Sequence, residues 1–401
     1  MVFPTSPHPS VGELPTDTRA SSTGLRLGRR PGLDGLRGVA VLTVLGGHAA
    51  NRYFPGAAVG VDVFFVLSGF LISRLLIEER ATTGRVSLRS FYARRGLRLL
   101  PALLLVLAFV AVAPRLLANV GNVRQLVNWW DIIGPLLYIH NWVRMAYFDT
   151  PTLMAHAWSL SVEEQFYLVW PLVLIVVLRR TGAPTLVARW LCATVVVAAI
   201  VMAIRSVLGA SVVVLYHGPE SLGAVMLLTG AAVAFWFEQP DVGSSRLQRT
   251  ARWAWVPAAA LICALCLTVP LEKARFFDLG GLLIVAVAVA MVLIAALDDS
   301  SWLGKLLSVR PLRWFGTISY GLYLWHLPFL HLAAYALKPQ GFSSVTVAAI
   351  AVPAAIGVAT LSFYMLERPI SRAGRAWLRR RDRYSDDRGG NACDRPIDGS
   401  R

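Results

Sequence analysis

The chain has 401 residues, of which 56% are hydrophobic and 15% are charged. Soluble domains carry about 25% charged and about 45–50% apolar residues, so this composition excludes an ordinary soluble enzyme. The formal net charge of +16 would also suit a nucleic-acid-binding protein. The basic residues, however, lie between long apolar runs, so we predict a membrane protein that binds no nucleic acid.

The apolar runs cover, in chain order, residues 33–50, 58–77, 99–119, 126–143, 159–178, 186–204, 219–237, 254–271, 279–297, 315–337 and 344–366. A membrane-spanning helix needs about 20 mostly apolar residues. All runs except 126–143 fit this requirement. That run contains Asn128, Asp131 and Pro135, which makes it a poor span.

The distribution of basic residues gives the topology. If 126–143 does not cross, thirty of the 39 Lys and Arg residues are cytoplasmic, eight are external and Arg37 lies inside a span. Crossing would place most of them outside, against the positive-inside rule. We therefore predict an all-α polytopic protein of the cell membrane. It has about ten transmembrane helices, an external or re-entrant segment over 120–157, and both termini in the cytoplasm.

The two ends of the chain differ from the apolar body. Residues 1–30 are rich in Pro, Ser, Thr, Gly and Arg, which predicts a disordered cytoplasmic leader. Residues 371–401 are rich in arginine and are predicted to form a basic cytoplasmic tail. The transmembrane domain is predicted to cover 31–370.

Arg37 and His48 lie in the first predicted span, eleven positions apart. This spacing is three helical turns, about 16.5 Å, and places both residues on one face. Each alone would fit a snorkelling arginine or a core histidine. Their shared face on a glycine-rich helix favours a functional pair, an anion-binding group with an imidazole deeper in the membrane.

Three arginines, Arg94, Arg95 and Arg98, cluster at the predicted cytoplasmic end of the 99–119 run. They could anchor the helix to acidic lipid headgroups, which would make membrane lipids their partners. They could equally form a phosphate clamp, because arginine binds phosphate groups with two parallel hydrogen bonds. The residues alone leave both interpretations open.

Other polar groups lie within or beside the predicted spans, namely Asp62, Glu163, Glu164, Tyr320, Tyr323 and His326. Ionisable groups in a membrane are costly and are functional candidates by default. Glu163 and Glu164 are either solvated at the external surface or point inward, where a carboxylate would orient a histidine. Tyr323 and His326 are three positions apart and share a helix face.

Five motifs follow one another along the chain: Arg37-X10-His48, the Phe64–Phe70 block with Ser68, the Phe91–Pro101 block with Arg95-X-X-Arg98, the Trp158–Tyr167 block and the Ser319–His326 block. Together they resemble the acyltransferase-3 family of integral membrane O-acyltransferases. The resemblance extends from about Leu33 to about Pro369, nearly the whole apolar body.

The resemblance implies a reaction and its participants. An acyl-CoA donor would bind from the cytoplasmic side, with its phosphates on Arg95, Arg98 and the adjoining Arg94. The acceptor would be a hydroxyl of a carbohydrate, a glycolipid or a secreted natural product such as an antibiotic. No metal is expected. The essential pair would be Arg37 and His48, with His48 as the general base.

The remaining candidates would support this pair. We expect Glu163 to orient His48, because it belongs to the Trp158–Tyr167 block and reaches inward from the external end of its span. Supporting or substrate-contacting residues would be Asp62, Ser68, Glu164, Tyr320, Tyr323 and His326. The rival interpretation is a transporter or exporter whose His and Glu residues relay protons. It gives Arg95 and Arg98 no obvious role.

Overall fold

The computed structural model describes residues 28, 30–116, 128–147, 152–180, 182–211, 215, 217–218, 222–238, 242–270 and 276–390. Most of the predicted leader, residues 391–401 of the predicted tail, and residues 120–127 and 148–151 of the predicted external segment lie outside this part of the chain. Throughout the described residues the regular structure is helical, without strands.

The helices are α1 (Pro31–Ala49), α2 (Val59–Thr83), α3 (Leu88–Leu116), α4 (Trp130–Leu136), α5 (His140–Ala146), α6 (Ala157–Arg180), α7 (Pro184–Val207), α8 (Leu222–Trp236), α9 (Val242–Thr268), α10 (Leu282–Ala296), α11 (Trp302–Leu307), α12 (Arg310–Leu337), α13 (Ser344–Ser362) and α14 (Arg368–Gly390). A proline lies in the first turn of α1, α7 and α12, where its missing N–H costs nothing. Ser343 caps α13 by accepting from the backbone N–H of Thr346 at 3.1 Å.

Over the described residues, seven helical segments are long and apolar enough to cross a membrane, namely α2, α3, α6, α7, α9, α10 together with the three residues before it (Leu279–Ala296), and α13 with its continuation. This confirms the predicted all-α, polytopic class. The other three predicted spans coincide with α1, α8 and α12. Helix α8 has only 15 residues, whereas α1 and α12 carry polar side chains that lower their hydropathy.

Helices α1 and α12 pack at very short range through glycines. A Cβ atom on Gly38 would lie 2.1 Å from the carbonyl oxygen of Leu312, and one on Gly316 would lie 1.7 Å from that of Asp34. Small residues allow this close backbone approach between membrane helices. The packing brings the faces of α1 and α12 that carry Arg37 and Ser319 together.

The run 126–143 does not form a continuous helix. It contains α4 and the start of α5, each seven residues long, and both are too short to cross a membrane. Between them, Tyr138 adopts a left-handed conformation with φ 55°. The segment packs on α6, where the Gln165 side chain donates to the Tyr138 carbonyl at 2.7 Å and to Asn141 at 2.9 Å.

The last helix continues beyond the predicted boundary at residue 370. A π-helical turn, Phe363–Glu367, joins α13 to α14. Pro369, which has no N–H to donate, lies two residues after this turn, and the wider turn lets the helix pass a proline that would ordinarily end it. Residues 371–390, at the start of the predicted tail, are therefore helical.

Candidate active site

A cavity of about 300 Å³ lies between α1, α2, α3, α6, α12 and the first turns of α14. Nine of the predicted site residues line it: Arg37, Ser68, Arg94, Arg95, Arg98, Glu163, Glu164, Tyr320 and Tyr323. The fold thus brings together residues separated by almost 290 positions in the sequence. Among its lining side chains are five arginines and two glutamates, so the cavity carries excess positive charge.

Arg95 is held by the two glutamates that the sequence places beside each other. Its Nε atom donates to both carboxylate oxygens of Glu164, at 3.1 and 2.9 Å, and its Nη2 also donates to Glu164. Glu163 lies 3.9 Å from the same nitrogen. The guanidinium stacks on the ring of Tyr167, with Cζ 3.1 Å from the ring centroid. Arg95 is therefore fixed and its charge is balanced.

The hydrogen bonds of Glu163 go to residues on α2 and α6. Its Oε1 atom accepts from the Ser68 hydroxyl at 2.5 Å and from the Tyr167 hydroxyl at 2.6 Å. The sequence predicts that Glu163 orients His48. These contacts and the proximity of Arg95 instead make Glu163 part of the wall around the arginine.

The other arginines of the cavity differ in their partners. Arg94 pairs with Glu79 at 3.1 Å. Arg37 donates to the Ser319 hydroxyl at 3.3 Å. Within the described part of the chain, Arg98 makes no hydrogen bond or ion pair, and its exposed surface faces the cavity. Arg37 and Arg98 are close enough to repel each other. An anion between them would relieve this repulsion.

The rings of three histidines, His48, His156 and His326, form a cluster next to Tyr323. His48 contacts His326 edge to face, with ring centroids 5.0 Å apart, and His326 contacts His156 in the same way at 4.9 Å. His48 is exposed at the end of α1, whereas the other two rings are buried. The predicted residues His48 and His326 thus form one cluster. Sequence reasoning missed its third member, His156.

The hydrogen bonds of His48 and His326 define their tautomers. The Nδ1 atom of His48 lies 3.0 Å from the Val44 carbonyl oxygen, and that of His326 lies 2.6 Å from the Tyr323 carbonyl oxygen. A carbonyl oxygen can only accept, so each Nδ1 carries the hydrogen. In a neutral imidazole the lone pair is then on Nε2. The exposed His48 ring therefore has a nitrogen able to take a proton.

Tyr323 connects the cavity to the histidine cluster. Its ring contacts those of His156 and His326, with centroids 5.1 and 5.5 Å apart. Its hydroxyl donates to the His156 carbonyl at 2.9 Å and lies 2.5 Å from the Ser159 hydroxyl. Both hydroxyls line the cavity, so the cavity ends in two polar groups next to the imidazoles.

Two further candidates have different positions. The Tyr320 hydroxyl donates to the Leu99 carbonyl at 3.1 Å, which fixes α12 against α3 at the cavity wall. Asp62 is fully buried outside the cavity lining, and in the described structure neither of its carboxylate oxygens has a hydrogen-bond partner. We therefore do not include Asp62 in the site.

A buried carboxyl also lies in the segment between α3 and α6. Asp131 accepts hydrogen bonds from the Thr152 hydroxyl and from the backbone N–H of Asn128, the latter at 3.0 Å. Burial raises the pKa of Asp131 to about 7. Over the described residues, no group of three His, Cys, Asp or Glu side chains is placed to hold a metal ion.

Comparison with known proteins identifies the relatives of this chain. It is 34% identical over 363 residues to the putative peptidoglycan O-acetyltransferase YrhL of Bacillus subtilis, with 87% of this chain and 56% of the relative covered. It is 33% identical over 360 residues to the peptidoglycan O-acetyltransferase OatA of Listeria monocytogenes, with 86% and 56% covered. A putative O-acetyltransferase of Staphylococcus aureus, SAR0937, is 30% identical over 368 residues, with 88% and 59% covered.

The chain therefore spans a little over half the length of these relatives. No solved structure matches it significantly. The acyltransferase-3 family, described as "Acyltransferase domain", matches residues 30–365. This range contains the cationic cavity apart from the first turns of α14, as well as the whole histidine cluster. The chain belongs to the acyltransferase-3 family of membrane proteins.

Proposed function

We propose that this protein is a membrane O-acetyltransferase that moves an acetyl group from acetyl-CoA to a hydroxyl of a cell-wall glycan. The names of YrhL and OatA both contain the words peptidoglycan O-acetyltransferase, which supports the acetyl group and the glycan. The observation that carries the proposal is the cavity itself. Arginines that have no carboxylate partner in the described part of the chain face one end of it, and two hydroxyls beside the histidine cluster face the other.

The donor fits the charge of the cavity. Coenzyme A ends in a pyrophosphate and a 3′-phosphate, and the rest is a long, thin pantetheine arm. Arg37 and Arg98 would bind the phosphates, because their charges repel each other and neither has an acidic partner among the described residues. Arg95, held by Glu164, would position this group rather than bind the donor itself. The arm would then extend towards Tyr323.

The acceptor would react at the histidine end of the cavity. His48 is exposed, so a hydroxyl from outside the helix bundle reaches it without a structural change. Its Nε2 atom takes the hydroxyl proton while the oxygen attacks the thioester carbon. The carbon–sulfur bond breaks, and the thiolate leaves and takes up a proton to give free coenzyme A. His326 holds the His48 ring in place through their edge-to-face contact.

The predicted topology would place the donor site and the acceptor site at opposite sides of the membrane. Both termini in the cytoplasm would put Arg98 at the cytoplasmic end of α3 and His48 at the external end of α1. The donor would then enter from inside the cell, and the glycan would approach from outside. Cysteines introduced at Arg52 and Arg85 and labelled with an impermeant reagent in intact cells would test this, because only the first should react.

Activity is tested with protein purified in detergent, [14C]acetyl-CoA and a chitooligosaccharide acceptor. Wild type should transfer label to the glycan, and His48→Ala should lose at least about a hundredfold in rate, which is the usual contribution of a general base. His331→Ala removes a histidine outside the cluster and should retain activity. Wild type that neither hydrolyses nor transfers the acetyl group, yet supports substrate flux in proteoliposomes, would establish the transporter instead.

A further inference from the structure

The first turns of α14 form part of the cavity wall, although they lie beyond the five motifs and beyond the range that the family matches. Ser371 and Arg375 both line the cavity. They are four positions apart, so they lie on the same face of the helix. This face packs directly on α3 beside Arg98: the Ser371 hydroxyl donates to the Leu97 carbonyl at 3.1 Å.

The close approach of the two helices leaves Arg375 little freedom of position. A Cβ atom on Gly374 would lie 2.4 Å from the Leu97 side chain, so a larger residue there would displace this leucine. Leu97 is the sequence neighbour of Arg98, and Gly374 is the neighbour of Arg375. The contact between the small residue and the leucine thus holds the two arginines beside the same cavity.

The charges around the cavity show which arginines are available for a ligand. Arg94 is paired with Glu79 and Arg95 with Glu164. Among the described residues, Arg98 and Arg375 form no ion pair or hydrogen bond, and both are exposed to the cavity. Guanidinium groups in such a position bind phosphate oxygens through charge-assisted hydrogen bonds.

We propose that Arg375 and Arg98 together form a phosphate-binding subsite, with α14 supplying half of it. The chemical class of its ligand is a phosphate or pyrophosphate ester. The identification of this ester as the acyl-CoA donor rests on the proposed function. The subsite itself rests only on the placement of the two arginines.

The experiment measures binding by isothermal titration calorimetry on the full chain in detergent. Arg375→Ala should weaken the affinity for coenzyme A by about tenfold or more, because a hydrogen bond to a charged group is lost. The same variant should bind pantetheine, which has no phosphate, as wild type does. Arg375→Lys should give an intermediate affinity, because lysine keeps the charge but not the planar donor pair.

Arg372→Ala is the matched control. Arg372 is exposed on the same helix, three positions away, but does not line the cavity, and its loss should leave the affinity unchanged. Equal affinities of wild type and Arg375→Ala for coenzyme A would overturn the subsite. So would an equal loss in Arg372→Ala, since it would indicate a general effect of positive charge.

Binding of inorganic pyrophosphate distinguishes a failure of the phosphate-binding subsite from a failure of the proposed acyl-CoA donor. If wild type binds pyrophosphate but not coenzyme A, and Arg375→Ala weakens pyrophosphate binding, the subsite stands and the acyl-CoA donor falls. If wild type binds neither compound, the subsite is overturned. Melting curves of each variant, compared with wild type, identify a loss of binding that comes only from unfolding.

Discussion

The imidazoles of His48 and His326 meet edge to face with their centroids 5.0 Å apart, although the two residues lie 278 positions apart on α1 and α12. The glycine packing of these two helices produces the contact. Because the Nδ1 hydrogen of each ring goes to a backbone carbonyl, both rings are held in one orientation. His326 is therefore a positioning residue for the proposed base.

Replacing His326 tests this relationship. We expect His326→Ala to lower kcat about tenfold to a hundredfold, because a mobile His48 ring spends less time in the reactive orientation. The KM for acetyl-CoA should stay unchanged, since the arginines that would bind the donor lie elsewhere in the cavity. Arg98→Ala should give the opposite result, a raised KM. An increased KM in His326→Ala would contradict the separation of the two roles.

Breaking the Arg95–Glu164 ion pair should destabilise the protein more than breaking the adjacent Arg94–Glu79 pair. Its side chains are 19% and 10% exposed, and breaking a largely buried pair leaves a charge without compensation, at a cost of about 3–5 kcal/mol. We therefore expect Glu164→Gln to lower the apparent melting temperature in detergent clearly. The neighbouring pair of Arg94 and Glu79 is more exposed, and Glu79→Gln should cost at most about 1 kcal/mol.

A double-mutant cycle completes this test. If Arg95 and Glu164 interact directly, Arg95→Met combined with Glu164→Gln should cost clearly less than the sum of the single changes. Additive losses would mean that each residue is held by other partners, such as Tyr167 for the arginine.

The contact between α1 and α12 depends on Gly316. A Cβ atom there would lie 1.7 Å from the Asp34 carbonyl oxygen, so Gly316→Ala must push the two helices apart. We expect a loss of thermal stability together with a loss of activity, since the His48–His326 contact depends on the same packing. Gly357→Ala is the control, because a Cβ atom at Gly357 in α13 meets nothing within 4 Å. The thermal stability of Gly357→Ala should stay the same or rise slightly.

Asp131 should make the segment between α3 and α6 sensitive to pH. Its pKa in the folded protein is about 7, against about 3.9 for an unperturbed carboxyl. The folded state therefore favours the protonated form. The stability that this form contributes is complete below about pH 4, falls as the pH rises to about 7, and does not change above that.

Hydrogen exchange measures the effect directly. Once corrected for the intrinsic rate, the amides of residues 128–147 should exchange faster at pH 8 than at pH 5. Burial lowers the pKa of His140 to about 4, so this residue makes the segment more stable as the pH rises, in wild type and in Asp131→Asn alike. In Asp131→Asn, which lacks the opposing carboxyl, the ratio of the corrected rate at pH 8 to that at pH 5 should therefore be lower than in wild type. An equal ratio in the two proteins would assign the pH dependence to another group.

The sequence predicts the parts of the site that rest on local pattern. Arg37, Arg95, Arg98, Tyr323 and His326 are recognised because charged or polar residues are costly in apolar helices, and all five lie at the cavity or the histidine cluster. The run 126–143 is correctly excluded as a span because its polar residues and proline interrupt the apolar pattern.

Other features depend on contacts between distant elements. The partners of Glu163 are Ser68 and Tyr167, and no spacing rule indicates the first of these. Arg375 follows Pro369, which ordinarily marks the end of a helix, and the π turn that carries the helix past this residue has no clear signature in one sequence. His156 lies in a turn, where a single histidine has no pattern to distinguish it.

The last prediction concerns His156. Its ring could act by packing or by proton transfer, and the two roles give opposite results for His156→Phe. Both ring nitrogens are buried and make no hydrogen bond in the described structure, whereas the ring contacts His326 and Tyr323. We therefore expect the ring to act by packing and not by proton transfer. His156→Phe should retain most of the wild-type kcat, because it keeps a ring against both neighbours. His156→Ala should lose stability by about 3–5 kcal/mol, as for other buried rings, and should lose activity with it. A His156→Phe variant that is stable but as inactive as His156→Ala would show that a ring nitrogen carries the proton away from His48 through His326.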